Sequence, residues 1–264
     1  MYNLFFYIVN HHANNEREAN KMRTNKADIY KKYGITFSGG KIETPIGTMN
    51  ELLKVGNSKT GKAVRTWSMN QTTCPVHCKG CYANFGCYQF PSVKESLRKN
   101  TEIARNHLDF LNRALRAQLE TFPAGTEIRI HAVGDFFSAE YLIMWHDIAR
   151  DFPQHIFWTY TKVKAFENAF SDLENANIVK SLVQGFGFNF GHCDYIIDMY
   201  KALRQLNVKV HICRCGIDDD QHCAGCHKCS ECEYVLFVEH STDYVAKEDP
   251  RYSELVELVE NQEF

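Results

Sequence analysis

The chain has 264 residues, 44% of them hydrophobic and 13% aromatic, with a formal net charge of −2. That length suits one α/β domain of barrel size or two small ones. The charge excludes a global basic field for nucleic acid, leaving at most a local basic patch. Eleven cysteines, nine of them grouped at 74–81 and 213–232, do not suit a disulfide-stapled secreted scaffold. They fit a reducing cytoplasm and metal–thiolate sites.

Leu4-Phe5-Phe6-Tyr7-Ile8-Val9 is apolar but too short to span a bilayer. It lacks the basic start and cleavage site of a signal peptide, so a strand or docked tail is expected. No other window approaches transmembrane length. Residues 10–26 are polar and charged, as in a linker or short helix. Residues 27–63 carry turn signals at Ser38-Gly39-Gly40 and Gly56-Asn57-Ser58 and read as an irregular or hairpin-forming approach to the core. Lys59-Thr60-Gly61-Lys62 lacks the full spacing of a phosphate loop. Val64 to Met69 is rich in strand formers.

A capping box at Ser92 and Glu95 follows Pro91. Val93, Leu97, Ala104, Leu108, Leu111, Leu115 and Leu119 then mark the buried face of one long helix, ended by Pro123 and Gly125. Glu127–Val133 is a second strand, and Ser138 can cap a helix with Leu142, Trp145, Ala149 and Phe152 inside. His155–Thr161 is a third strand, followed by a short helix around Phe166 and Phe170. A fourth strand, Ile178–Val183, ends in Gly185-Phe186-Gly187. A helix through Ile196, Met199, Tyr200, Leu203 and Leu206 leads to a fifth strand, Val208–Ile212. Tyr234–Val238 is a sixth strand and Tyr252–Glu260 a final helix. Alternation of strand and helix predicts a parallel sheet.

Cys74, Cys78 and Cys81 form a C-x3-C-x2-C run directly after the first core strand. The carboxyl end of a strand is where α/β folds place their chemistry. Clusters are usually held by four cysteines; three can hold three irons of a [4Fe–4S] cluster and leave one iron open. The competing readings are a zinc loop, although zinc loops usually use C-x2-C pairs, or three unrelated buried cysteines. Cys87 and Cys193 read as small packed residues.

The second group is Cys213-x-Cys215 and then Cys223, Cys226, Cys229 and Cys232 at successive x2 spacings. This pattern calls for a metal, either an iron–sulfur cluster or zinc in a closed tetrahedral site. The group is expected on a loop at the same carboxyl-end mouth as the first. His222 and His227 read as decoration of that loop, and His131 and His211 as satisfied interior histidines. Thr159-Tyr160-Thr161-Lys162 reads as a core tyrosine with a surface lysine.

The C-x3-C-x2-C spacing resembles the radical S-adenosylmethionine (SAM) superfamily, over about residues 62–240. The resemblance implies that the open iron chelates the amino and carboxylate groups of SAM. One electron then cleaves SAM to methionine and a 5′-deoxyadenosyl radical. It also implies a partial (β/α)6 TIM-like barrel and an electron donor such as flavodoxin or ferredoxin. Gly134-Asp135 resembles a shortened form of the family's Gly-Gly-Glu-like stretch, which holds the SAM amino group. A glycine allows close approach of a ligand and an anion suits an ammonium. The other reading of this pair is a strand-end turn in which Asp135 caps the next helix. One departure is Gly80, where the family often has an aromatic residue; here the aromatic Tyr82 follows the third cysteine. Several radical-SAM enzymes carry an auxiliary iron–sulfur cluster after the barrel core, which fits the second group. Cys81-Tyr82-Ala83, residues 131–138, residues 158–162 and the late cysteine run are similar to a phage-borne, radical-SAM-like family without an assigned reaction.

The expected organisation is an N-terminal extension (1–61), a partial barrel (62–212), a cysteine-rich metal loop (213–233) and a last strand and helix (234–264). The expected function is a cytoplasmic radical-SAM enzyme of a bacterium or phage-infected host, using a [4Fe–4S] cluster and SAM on an unidentified substrate, with no membrane association. The alternatives are a non-catalytic zinc or iron–sulfur binding module, and a radical-SAM enzyme acting on nucleic acid or a nucleotide.

Overall fold

The computed structural model describes residues 26–56, 60–61, 63–77, 81–181, 190–214, 217, 226–238 and 246–262. Leu4–Val9, Cys78, Gly80, Gly185–Gly187, Cys215, His222 and Cys223 lie outside them. The chain divides into two compact units: residues up to Leu53 with Glu102–Pro123, and Lys54–Thr101 with Ala124–Phe264.

In the first unit, residues 26–32 are helical. They lead into an antiparallel meander of β1 (Phe37–Ser38), β2 (Lys41–Thr44) and β3 (Gly47–Asn50). Gly39 and Gly40 take positive φ between β1 and β2, a conformation glycine adopts without steric cost. The Tyr30 ring stacks on Phe37 with centroids 4.7 Å apart, and its hydroxyl donates to Glu51 at 2.7 Å. The buried Gln118 side chain satisfies both backbone groups of Leu53, accepting from its N–H at 2.8 Å and donating to its carbonyl at 2.9 Å.

The second unit holds two sheets. β4 (Lys54–Val55) pairs antiparallel with β5 (Arg65–Trp67). β5, β6 (Glu127–Ile130), β7 (Ile156–Thr161) and β8 (Ala176–Lys180) then pair parallel in sequence order. The other sheet contains β9 (Phe190–Gly191), β10 (Val210–Cys213) and β11 (Tyr234–Val238), all parallel, with β11 in the middle. The Lys180 N–H donates to the Glu233 carbonyl at 2.8 Å, linking the end of β8 to the approach to β11. The architecture is mixed α/β with several open sheets and no closed barrel among the described residues.

The long helix expected after Pro91 is two helices, α1 (Pro91–Asn106) and α2 (Leu108–Leu119). His107, at φ −141° and ψ 49°, breaks the spiral between them. The capping box is not made. The Phe90 carbonyl accepts from Val93 and Lys94 at the helix start, and Glu95 pairs with Arg98 at 2.8 Å. Ser138 does cap α3 (Ala139–Asp151), accepting from the Tyr141 N–H at 3.2 Å. α4 (Cys193–Gln205) and α5 (Tyr252–Glu260) pack their apolar stripes on Val210, Ile212, Leu236 and Val238.

Alternation divides the residues of the larger sheet between two faces. Trp67, Ile128, Ile130, Phe157 and Ile178 share one face and are buried. On that face Trp67 Nε1–H donates to the Tyr141 hydroxyl of α3 at 2.7 Å. Glu127, Arg129, Trp158, Tyr160, Asn177 and Val179 share the other, and this face carries the site.

Candidate metal and cofactor site

The first cysteine group begins where β5 stops. Asn70 turns the chain, its side-chain oxygen accepting from the Thr72 N–H at 3.0 Å, and a 3₁₀ turn over Gln71–Thr73 delivers Cys74. Helix α1 bolts this segment down. The Asn70 N–H donates to Thr101 Oγ1 and the Asn100 amide donates to the Ser68 carbonyl, both at 2.8 Å. Cys81 starts a second 3₁₀ turn, Tyr82–Asn84, and the Gln71 amide spans the two turns by donating to Asn84 Oδ1 at 2.5 Å. Cys74 and Cys81 are both partly exposed, and no disulfide joins the described cysteines.

The segment after β6 is stitched to this loop. The Met69 N–H donates to the Val133 carbonyl at 2.9 Å, and the Tyr82 hydroxyl donates to the Ala132 carbonyl. Gly134 sits at φ +93°, and a Cβ there would lie 2.8 Å from Thr73 Oγ1 and 3.2 Å from Met69 Cβ. Its missing side chain is what lets the two strand-end loops close on each other. On the side where a Cβ would stand, Gly134 is packed against Thr73 and Met69.

Asp135 is buried and both oxygens of its carboxylate accept hydrogen bonds. Oδ1 accepts from the Phe136 N–H at 2.7 Å and the Thr161 hydroxyl at 2.9 Å, and Oδ2 accepts from the Lys162 N–H at 3.0 Å. Burial pushes its pKa up, opposed by these three bonds and the Lys162 charge. Asp135 therefore ties the segment after β6 to the end of β7, and the helix cap that was the alternative reading of it is made by Ser138.

The strand β6 is shorter than its sequence suggests because His131 turns into the left-handed region at φ 66°. Its ring is buried and its pKa is pushed down to about 3 by burial. Nε2 lies 2.8 Å from the Tyr141 hydroxyl. The imidazole is therefore partnered on this side, as the sequence implied.

The second cysteine group is positioned differently from expectation. Cys213 does end β10. Cys226 to Cys232, however, run along the sheet face. The Asn177 amide of β8 donates to the carbonyls of Cys229 and Cys232 at 2.9 and 2.8 Å. His227 pairs with Glu127, the first residue of β6. Cys229 and Cys213 pack with Tyr160 and Phe237 around the buried Cys232, Val179 and Val235. The residues before β11 must run back along the face before the strand can start, and that carries them away from the carboxyl-end mouth. Burial pushes the Cys229 thiol up to about 11, with the Tyr160 hydrogen bond and Arg129 opposing, and the Cys232 thiol up to about 12, with Lys228 opposing.

Among the described residues no three His, Cys, Asp or Glu side chains are grouped to hold a metal ion. Each cysteine group has members outside those residues: Cys78 in the first, Cys215 and Cys223 in the second. The partly exposed Cys74 and Cys81, on a loop pinned at the strand ends, fit the donor chemistry of an iron–sulfur cluster. The buried Cys232 and half-buried Cys229 fit a closed structural site.

Sequence reading missed Asn177, which holds the second group, and Arg129, at the centre of the face. The Arg129 guanidinium lies over the Trp158 ring, 5.2 Å from its centroid. The only signal was alternation in Glu-Ile-Arg-Ile, which marks Arg129 as facing away from the helices.

A family model described as gene product 88 matches residues 21–234, most of the chain. The chain belongs to the gene product 88 family, a phage-like family. No curated protein and no solved structure matches it. No described helix is long and apolar enough to cross a membrane.

Proposed function

We propose that this protein is a radical-SAM enzyme built on a partial (β/α)6 arrangement of its parallel strands and acting in the cytoplasm of a bacterium or phage-infected host. The observation that carries the reading is the junction of the cysteine loop after β5 with Gly134-Asp135 after β6, through Met69–Val133 and Tyr82–Ala132. In this reading Cys74, Cys78 and Cys81 hold a [4Fe–4S] cluster by three irons. A cluster held there, with SAM, would supply the radical chemistry needed to take hydrogen from a substrate. The chain's own residues do the positioning. Asn70 and Asn100 fix the cysteine loop, Gly134 lets the β6 loop close on it, and Asp135 holds the ends of β6 and β7 in register beside it. SAM would lie along the Gly134-Asp135 backbone, and an electron donor such as flavodoxin or ferredoxin would approach the exposed side of the cysteine loop.

A second metal at Cys213, Cys215, Cys223, Cys226, Cys229 and Cys232, iron–sulfur or zinc, would hold the fold. The burial of Cys232 and the Asn177 bonds to two of its backbone carbonyls favour that structural role. A protein in which both groups are structural would be a binding module. Electron paramagnetic resonance separates the two. After anaerobic reconstitution and reduction, the proposed enzyme shows a [4Fe–4S] signal that shifts on adding SAM and is lost in Cys74→Ser and Cys81→Ser. A reconstituted protein with no SAM-sensitive signal would leave the binding module.

A further inference from the structure

We propose that Arg129 and Trp158 form a binding site for an oxyanion, a carboxylate or phosphate carried by the substrate. The two are directly paired across β6 and β7 and point to the same face. Arg129 Nε and the indole Nε1–H of Trp158, itself only 5% exposed, are buried donors with no hydrogen-bond partner among the described residues. A buried N–H without an acceptor is costly, and a guanidinium without a counter-charge more so. The ring stacking at 5.2 Å holds the guanidinium without meeting its hydrogen-bonding demand. The carboxylate two residues away on the same face is already taken, since Glu127 pairs with His227. Beside the pair stands Tyr160 of β7, its ring 6.0 Å from that of Trp158 and its hydroxyl 3.0 Å from Cys229 Sγ.

Two adjacent N–H donors, one cationic, held on rigid strands and left without an acceptor, define an anion site. Its place beside Tyr160 and Cys229 puts the anion next to the second cysteine group. The inference rests on the radical-SAM reading only in assigning the anion to the substrate; the donor pair exists without it.

The test uses the full, metal-loaded chain without SAM or reductant, so its outcome is separate from that of radical formation. Inorganic phosphate and acetate are titrated, and the thermal midpoint and tryptophan fluorescence are followed. The wild type is expected to show a saturable rise in midpoint with one of the two, and which one names the group. Arg129→Gln should weaken that binding about tenfold or more, the equivalent of one lost charge-assisted hydrogen bond. Trp158→Phe, read by midpoint alone, should weaken it less. Arg129→Lys provides a folded control if the glutamine variant is unstable, and it too should bind more weakly, since the fork geometry is gone. No saturable effect of either anion on the wild type, or equal binding by wild type and the Arg129 variants, would overturn the proposal.

Discussion

The Asp135 carboxylate accepts a hydrogen bond from the Thr161 hydroxyl at 2.9 Å, across the ends of two neighbouring parallel strands. With the Lys162 and Phe136 N–H groups it closes a largely buried polar knot beside the cysteine loop. Such a knot is costly to open because each orphaned donor loses its partner inside the protein.

Asp135→Ala is therefore expected to destabilise the fold by about 3 kcal/mol or more, from three orphaned donors at ~1–3 kcal/mol each with partial rehydration. Urea unfolding measures this. Wild-type stability combined with loss of SAM binding would instead make Asp135 a ligand holder alone.

Gly134→Ala should lower stability by about 1–3 kcal/mol for the positive φ alone, with the contact to Thr73 Oγ1 at 2.8 Å adding to it. Thr73→Ala removes that contact but not the backbone strain. The double variant should then be less destabilised than the sum of the single ones, a coupling read from a double-mutant cycle. Simple additivity would mean the two loops do not press on each other.

His131 gives a pH dependence of definite sign. Its folded pKa is about 3, against about 6.5 when unfolded. Between those values the unfolded chain binds the proton and the folded chain does not. The stability from the neutral ring is thus complete above pH ~6.5 and is lost as pH falls toward 3, by up to ~1.4 kcal/mol per pH unit. Asn adopts the same left-handed backbone, so His131→Asn should flatten the wild-type slope between pH ~4 and ~6. Equal slopes would mean that His131 is protonated within the fold.

For the second cysteine group, Cys229→Ser and Cys232→Ser should each lower metal content per chain and open residues 226–233 to protease, since metal binding and local folding are coupled. Cys87→Ser, at an exposed site, should leave both unchanged. Full metal content and an uncut segment in the first two would mark them as ordinary core thiols.

Much of this was readable in the sequence where signals are local. Ser138 caps α3 because a hydroxyl stands just before an apolar helical stripe, and β11 and α5 have the residue limits their patterns suggest. The break at His107 was hidden because apolar residues recur at helical spacing on both sides of it. The position of Cys226–Cys232 was hidden for another reason. Order along the chain places them after β10, whereas Asn177 and Glu127, distant in sequence, decide where they lie. Arg129 and Trp158 each look ordinary in their own strand, and only the β6–β7 register makes them a pair.

The most direct test of the central claim is the formation of 5′-deoxyadenosine. Protein reconstituted anaerobically with iron and sulfide is mixed with dithionite and SAM, and the products are separated by chromatography. Production of 5′-deoxyadenosine by the wild type, abolished in Cys74→Ser, Cys78→Ser and Cys81→Ser, is the expected result. A cluster-loaded, reduced protein that leaves SAM intact would contradict it.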